Sequence, residues 1–326
     1  MLRLRLISAA IIIGTSLTFV TLDALSPVPG CDGLWMLCLG VFLIFGSAVE
    51  CVQMMQPASK TPSEHRDTTA DEPEQQDHRI TGIRAPALLG VAGIMVASAI
   101  PMFWPALQKE DYPSDCLLGE LGWPLAAILI AQFMCLVWYF PSYQHNSRVF
   151  SRAIAASWVS TYFGGGFAFA IALRRTGEPL WGLYLLVGII LITKFADSGA
   201  YFTGRAVGRT KLCPHISPGK TVEGLIGGAV TATLAGWIYF SVVGIQFFPS
   251  LSVSLFGVVV LGVLLTLAGI VGDLVESIFK REMGVKDSGH WLPGLGGLWD
   301  VTDSLLPGFL AGYLVVMAEL IKGPGQ

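Results

Sequence analysis

Nine apolar segments, each long enough to span a membrane, constrain this chain more than any other feature. They cover about 6–22, 34–54, 86–107, 123–141, 152–173, 180–202, 224–247, 251–274 and 304–321. A helix of about 20 residues crosses a hydrocarbon core about 30 Å thick, and lipid-facing backbone groups must bond within their own segment. Only 13% of the residues are charged, whereas a soluble domain has about a quarter. We therefore expect an all-α, polytopic integral membrane protein with about nine transmembrane helices.

The distribution of basic residues predicts the orientation of these helices. With the N-terminus inside, fifteen of the twenty Lys and Arg residues fall on the inner side and four on the outer side. Inner loops are enriched in Lys and Arg, so this orientation is favoured. We interpret the first segment, which follows Arg3 and Arg5, as a retained helix, because no small-x-small cleavage site follows it. The expected location is the inner cell membrane, with the polar loops that follow the sixth and eighth segments in the cytoplasm.

The chain divides into four parts by composition. Residues 1–54 form an N-terminal transmembrane pair, and residues 55–80 are polar and proline-containing, as in a flexible cytoplasmic linker. Residues 81–150 contain transmembrane helices to which the sequence assigns no role. Residues 151–326 contain the loops with chemical content and form the expected catalytic domain.

Two polar stretches after the sixth and eighth segments contain charged residues on shared helix faces. Lys194 and Asp197 lie three apart near the end of an apolar run. The second stretch places two carboxylates, a hydroxyl and an ammonium at helical spacing, at Asp273, Glu276, Ser277 and Lys280. Ionised groups at such depth are costly unless paired or hydrated, so both stretches are candidate functional sites. A structural ion-pair network between helices is the alternative.

Glycines and cations in the same stretches suit a nucleoside triphosphate. Glycine lets backbone N–H groups approach an anion, and the glycines are Gly204, Gly208, Gly219, Gly224, Gly296 and Gly297. The cations are Arg205, Arg209, Lys211, Lys220, Lys280, Arg281 and Lys286. Cations and amides hold phosphates, while carboxylates hold Mg²⁺. A P-loop is excluded, because Pro214 stands where the first glycine before Gly219-Lys220-Thr221 belongs.

Three ordered motifs resemble a known family. The stretch from Ser277 to Asp303 reads S-x-x-K-R-x(4)-K-D-x-G-x(3)-P-G-x-G-G-x-x-D-x-x-D and resembles the signature of the phosphatidate cytidylyltransferases, the CDP-diacylglycerol synthases. Upstream, two shorter motifs match the same pattern, Asp197-x-x-Ala200-Tyr201-x-x-Gly204-Arg205-x-x-Gly208 and Ser217-Pro218-x-Lys220-Thr221-x-Glu223-Gly224. The resemblance covers roughly residues 150–320.

The resemblance implies an enzyme of phospholipid synthesis at the membrane surface. Such an enzyme transfers the cytidylyl group of CTP to phosphatidic acid, giving CDP-diacylglycerol and pyrophosphate. Its expected partners are CTP, phosphatidic acid and the lipid bilayer; a homodimer is left open, and no nucleic acid is expected.

The resemblance also assigns the site. It implies Mg²⁺ as cofactor, held by Asp273 and Asp300. The catalytic positions are Asp273, Asp300, Lys280, Lys286 and Asp287. The substrate-binding positions are Asp197, Arg205, Ser217, Lys220, Thr221, Glu223, Ser277, Arg281, Gly296 and Gly297. Asp303 has two possible roles, and the sequence leaves both open. It could contact the residues that hold the ion, or it could place a negative charge at a helix N-terminus.

Three residues depart from the family pattern. Leu295 replaces a histidine before the Gly-Gly pair, Val301 replaces an arginine after Asp300, and Gly219 stands where a lysine is frequent. Loss of the arginine removes a fixed positive charge, and loss of the histidine removes a possible hydrogen-bond donor. A diverged enzyme with lost or altered activity is therefore an alternative. A membrane transporter is a further one, but it would show internal repeats and charges at mid-membrane, whereas these charges cluster at one end of the segments.

Overall fold

Nine helices make up most of the fold. The computed structural model describes residues 2–56, 82–110, 112–113, 119–144, 148–251 and 253–324. Within these ranges, nine helices are long and apolar enough to cross a membrane. In chain order they are α1 (Leu2–Leu25), α2 (Leu34–Met55), α3 (Arg84–Gln108), α4 (Gly119–Ser142), α5 (Val149–Arg174), α6 (Pro179–Val207), α7 (Val222–Phe247), α8 (Leu255–Glu282) and α9 (Trp299–Met317). The expected all-α polytopic fold is confirmed.

Several helices contain irregular turns. A π-helical segment lies within α2 at Val41–Phe45 and another within α7 at Ile238–Val243. Helix α9 consists of a short turn, Trp299–Thr302, followed by Leu305–Met317. Between α6 and α7, strands β1 (Lys211–Cys213) and β2 (Ser217–Thr221) form an antiparallel hairpin, where the sequence predicted only a loop.

Helix α5 occupies the centre of the bundle and packs against α3, α4, α6 and α9. The aromatic side chains of Phe163 and Phe167 on α5 are fully buried, as is Trp299 at the start of α9. In lipid, helices associate mainly through close packing, and large aromatic side chains fill the space between these helices. Trp299 therefore ties the start of α9 to the centre of the bundle.

Helices α6 and α7 approach each other closely through small residues. A Cβ atom added at Gly199 would lie 2.3 Å from Thr231 Oγ1, and one at Gly227 would lie 2.2 Å from Thr203 Oγ1. Neither position has room for a larger side chain, as in other helix pairs packed through glycine. This tight pair fixes the position of the hairpin that connects the two helices.

Helices α1 and α4 lie at the periphery. Few of their residues are buried, and they expose large apolar side chains such as Ile11 on α1 and Phe133 on α4. An exposed apolar surface of this kind suits contact with lipid. The two helices therefore form outer faces of the bundle within the described residues.

The structure corrects the predicted boundaries near the site. The eighth span was predicted to end at residue 274, but α8 continues to Glu282. The ninth was predicted to begin at 304, but its first turn begins at Trp299. The apolar runs underestimated the lengths of both helices, because each helix extends beyond its apolar part through charged residues. The linker predicted over 55–80 lies, from residue 57 on, outside the described residues.

Candidate active site

Three carboxylates converge where α8 meets the start of α9. Asp273 and Glu276 lie three residues apart on α8, and Asp303 lies at the break in α9. Each offers an oxygen within 4.8 Å of the others, and both Glu276 and Asp303 are buried. The helices meet closely at this point, since a Cβ atom on Gly272 would lie 2.1 Å from the carbonyl oxygen of Asp303. We call Asp273, Glu276 and Asp303 the carboxylate cluster.

Lys280 bridges this cluster to Asp300. Its Nζ atom lies 2.9 Å from Glu276 Oε2 and 2.8 Å from Asp300 Oδ1. The other oxygen of Asp300, Oδ2, accepts hydrogen bonds from the backbone N–H groups of Ser288 and Gly297 and from the Ser288 hydroxyl. Both Asp300 oxygens therefore have protein partners, and an ion held by Asp300 stays a prediction.

Lys220 extends from the hairpin to the carboxylate cluster. Its Nζ atom lies 2.9 Å from Asp273 Oδ2 and donates to the carbonyl oxygen of Ile270. Ser277 donates to the other Asp273 oxygen over 3.3 Å. The hairpin and α8, which are distant in the chain, thus meet through Lys220 and Asp273, two residues that the sequence had selected.

A second polar group links α6 to α9. Lys194 Nζ donates to the carbonyl oxygen of Val301 and to Ser304 Oγ, both over 2.8 Å. Ser304 Oγ donates to Asp197 Oδ2, which lies 3.5 Å from Lys194 Nζ. Val301, where the family pattern has arginine, contributes its backbone carbonyl. The predicted site did not include Lys194 or Ser304. For Lys194 the sequence did contain a signal, which was its spacing of three residues from Asp197.

The predicted residues Thr221, at the end of the hairpin, and Glu223, in the first turn of α7, have contacts within the fold. Thr221 caps α7 by accepting a hydrogen bond from the Gly224 N–H. Glu223 accepts from the backbone N–H groups of Arg209 and Thr210. These contacts close the hairpin onto the start of α7, so both side chains position Lys220.

The remaining predicted residues lie on the hairpin, at the ends of α6 and α8 and in the loop after α8, with varied exposure. Ser217 begins β2 and is half-buried. The cations and the acid that remain exposed are Arg205, Arg281, Lys286 and Asp287. Within the described part of the chain, no ion pair involves the three cations. Arg205 donates a hydrogen bond to the Tyr201 hydroxyl over 3.2 Å.

Gly296 and Gly297, predicted to bind substrate, lie against carboxylate side chains of the protein. Gly296 has a φ of +102°, which other residues rarely adopt. A Cβ atom there would lie 2.5 Å from Asp300 Oδ2, and one at Gly297 would lie 2.3 Å from Glu50 Oε2. The anions that these glycines approach are therefore side chains of the protein itself.

Glu50 on α2 belongs to the same region and was missed. It is buried, and its Oε2 atom accepts from the backbone N–H of Trp299 over 3.0 Å. An acidic residue inside an apolar segment is a signal that could have identified it. The N-terminal pair therefore contacts the site, although the sequence assigned it no chemistry.

The carboxylate cluster fits a hard divalent cation. Such ions take oxygen ligands from carboxylates, and three are present at short mutual distances. Glu276 Oε1 is buried and has no hydrogen-bond partner among the described residues. An unpartnered buried oxygen is costly, and an ion in the cluster would remove that cost.

Comparison with known proteins gives matches over most of the chain. The model of the cytidylyltransferase family matches residues 90–318. A phosphatidate cytidylyltransferase of Bacillus subtilis is 37% identical over 244 residues, which cover 75% of this chain and 83% of that protein. One of Staphylococcus haemolyticus is 33% identical over 67% of this chain and 76% of the relative. One of Haemophilus influenzae is 42% identical over 145 residues, 44% of this chain and half of the relative's length.

Proposed function

The chain belongs to the cytidylyltransferase family and is an enzyme of the phosphatidate cytidylyltransferase type; on this premise we propose that it transfers the cytidylyl group of CTP to phosphatidic acid. The products are CDP-diacylglycerol and pyrophosphate. The observation that supports this reaction most is the carboxylate cluster with Lys220 and Lys280 beside it. The carboxylates suit a metal ion, and the two lysines suit the nucleotide phosphates that the ion accompanies.

In the proposed reaction, a phosphate oxygen of phosphatidic acid forms a bond to the α-phosphorus of CTP. The bond from that phosphorus to the bridging oxygen breaks, and pyrophosphate leaves with the electron pair. The attacking phosphate is already anionic at neutral pH, so the step needs positioning and charge neutralisation more than a strong base.

Each charged group has a role in this proposal. Asp273, Glu276 and Asp303 would hold Mg²⁺, which neutralises charge on the phosphates when bound. Lys220 and Lys280 lie beside these carboxylates and would bind phosphate oxygens. Arg281 and Lys286 are exposed and would bind the end of the triphosphate or the lipid phosphate.

We also propose that this end of the bundle faces the cytoplasm of the inner cell membrane. The basic residues concentrate in the loops at this end. CTP is a cytoplasmic metabolite, and the segments that adjoin the site carry three exposed cations, Arg205, Arg281 and Lys286. A membrane-impermeant substrate then meets the site without crossing the bilayer.

Labelled CTP tests the proposal directly. Membranes containing the chain are supplied with phosphatidic acid and Mg²⁺, and with CTP labelled at either the α- or the γ-phosphorus. We expect label from the α position in chloroform-soluble lipid and none from the γ position. Membranes containing Asp273→Asn serve as the control. Absence of lipid label with the parental chain would contradict the proposal, and label with another lipid phosphate alone would favour a diverged acceptor.

A further inference from the structure

Glu50 is a buried carboxylate on α2 that no cation balances within the described part of the chain. It is 1% exposed, and Oε2 accepts from the Trp299 N–H over 3.0 Å. Its other oxygen, Oε1, has no hydrogen-bond partner among the described residues. Burying an anion beside neutral donors alone is unfavourable, and an apolar residue would fill this place without that cost.

The residues around Glu50 belong to the loop that joins α8 to α9. A Cβ atom on Gly289 would lie 2.2 Å from Glu50 Oε1, and one on Gly297 would lie 2.3 Å from Oε2. Both glycines therefore let the loop close around the carboxylate. One turn before Glu50, Ser47 bonds to Thr302 over 2.8 Å. Helix α2 thus holds both the loop and the first turn of α9.

Ser288 lies between Glu50 and Asp300 and brings Glu50 close to the residues around the carboxylate cluster. The Ser288 hydroxyl lies 3.3 Å from Glu50 Oε2 and 2.7 Å from Asp300 Oδ2. A hydroxyl has one proton, so it donates to one carboxylate at a time, and the shorter contact is to Asp300. Asp300 in turn holds Lys280 over 2.8 Å. The position of Lys280 therefore depends on a loop that Glu50 anchors.

Helix α2 also contains an irregular turn next to this region. The π-helical segment Val41–Phe45 ends just before Gly46, and such segments are frequent at functional sites. A Cβ atom on Gly46 would lie 2.4 Å from Leu298 Cδ1, so α2 touches the loop here as well. The family match begins at residue 90 and assigns nothing to α2.

We propose that Glu50 is a positioning residue of the active site, which fixes Ser288 and Asp300 so that Lys280 faces the substrate phosphates. The inference rests on the proposed function. Glu50 does not touch substrate; it acts through the Trp299 N–H and Ser288. This gives the second transmembrane helix a part in the reaction.

The experiment uses the full chain, purified as monodisperse protein, with Glu50→Leu, Glu50→Gln, Ser288→Ala and the Glu50→Leu/Ser288→Ala pair. Misplacing a catalytic group by an ångström can cost a large factor in rate, so we expect Glu50→Leu to lower kcat about tenfold or more. Glu50→Gln keeps an oxygen that accepts the Trp299 N–H, and its kcat should stay within about threefold of the parental value. The double variant should be no slower than the slower single variant, because both act on the same contact.

Asp23→Asn is the matched control, since Asp23 is a second buried carboxylate, paired with Arg174 and away from the cluster. It should lower the melting temperature while kcat per folded molecule is unchanged. Hydrogen exchange at residues 288–299 adds a readout independent of activity: Glu50→Leu should speed it and Asp23→Asn should not. If the parental chain is inactive, the proposed function fails, and exchange still reports on Glu50. A parental kcat in Glu50→Leu, or multiplicative losses in the pair, would overturn the inference.

Discussion

The ammonium group of Lys220 lies 2.9 Å from Asp273 Oδ2, which joins the hairpin to the carboxylate cluster. Lys220 is mostly buried, whereas Asp273 is close to half exposed. The lysine therefore neutralises part of the charge of three adjacent carboxylates and stays beside the open side of the cluster. The hairpin provides both this residue and its position.

Replacing Lys220 should impair CTP use and leave the fold intact. We expect Lys220→Met to lower kcat/KM for CTP about tenfold to a hundredfold, because a charge-assisted contact to phosphate is lost. Steady-state rates at varied CTP concentration measure this effect. Lys322→Met is the control, because Lys322 pairs with Glu319 beyond the far end of α9. Its kcat/KM should stay within about twofold, since exposed ion pairs contribute little. A parental value in Lys220→Met would remove Lys220 from the site.

Two isosteric changes should identify the residues that hold the metal. Asp303→Asn removes a charge from the carboxylate cluster, so the Mg²⁺ concentration for half-maximal activity should rise about tenfold or more. Asp300→Asn breaks the contact to Lys280 instead, and it should lower kcat with little change in that Mg²⁺ concentration. The rise in melting temperature with added Mg²⁺ gives a second reading. The reverse outcome would show that Asp300 is the ligand, as the sequence predicted.

Labelling of single cysteines tests which side of the membrane the site faces. In a cysteine-free background, Lys211→Cys and Lys286→Cys should both resist an impermeant maleimide in intact cells and react after lysis. Lys322→Cys should react in intact cells, because α9 carries residue 322 to the opposite side. Labelling of residues 211 and 286 from opposite sides would contradict the shared face.

The sequence predicted the membrane fold well because one physical constraint dominates it. A lipid-facing backbone has to satisfy its own hydrogen bonds, so each apolar run determines a helix. The apolar runs did not predict where α8 ends. Lys280 and Arg281 continue the helix beyond the apolar part, and a hydropathy boundary at residue 274 places them in a loop. A helical spacing from Asp273 to Lys280 was already visible and was the better guide.

The sequence selected several residues that the fold brings together, but it did not show which of them pair. Motif residues named Asp273, Asp300 and Lys280, yet only the fold shows that Lys280 joins Glu276 to Asp300. Contacts between distant segments have no local signature. Glu50 shows the same limit, because its partners lie more than two hundred residues away. An acidic residue in an apolar run marks a candidate but does not name its partners.

The close approach of α6 and α7 should make Gly227 sensitive to small changes. A Cβ atom there would lie 2.2 Å from Thr203 Oγ1, whereas nothing lies within 4 Å of one at Gly93. We expect Gly227→Ala to destabilise the protein by about 1–3 kcal/mol through overpacking, with a lower melting temperature. Gly93→Ala should be neutral or slightly stabilising, because alanine is the better helix former. Equal melting temperatures would contradict the packing argument.

The buried pair Asp23–Arg174 should be essential to stability and unimportant for chemistry. Both side chains are nearly inaccessible, at 1% and 3%, and the Arg174 guanidinium donates to Asp23 Oδ2 over 2.8 Å and to the Pro179 carbonyl over 2.8 Å. Arg174→Met leaves an uncompensated buried carboxylate, which costs about 3–5 kcal/mol. The apolar double variant Asp23→Leu/Arg174→Met removes both charges and should recover most of that loss. Melting temperatures of the single and double variants measure the difference, and kcat per folded molecule should be parental in the double variant. A double variant as unstable as Arg174→Met would mean that the hydrogen bonds to Pro179 and to the Met36 N–H, rather than the unpaired charge, determine the stability of this region.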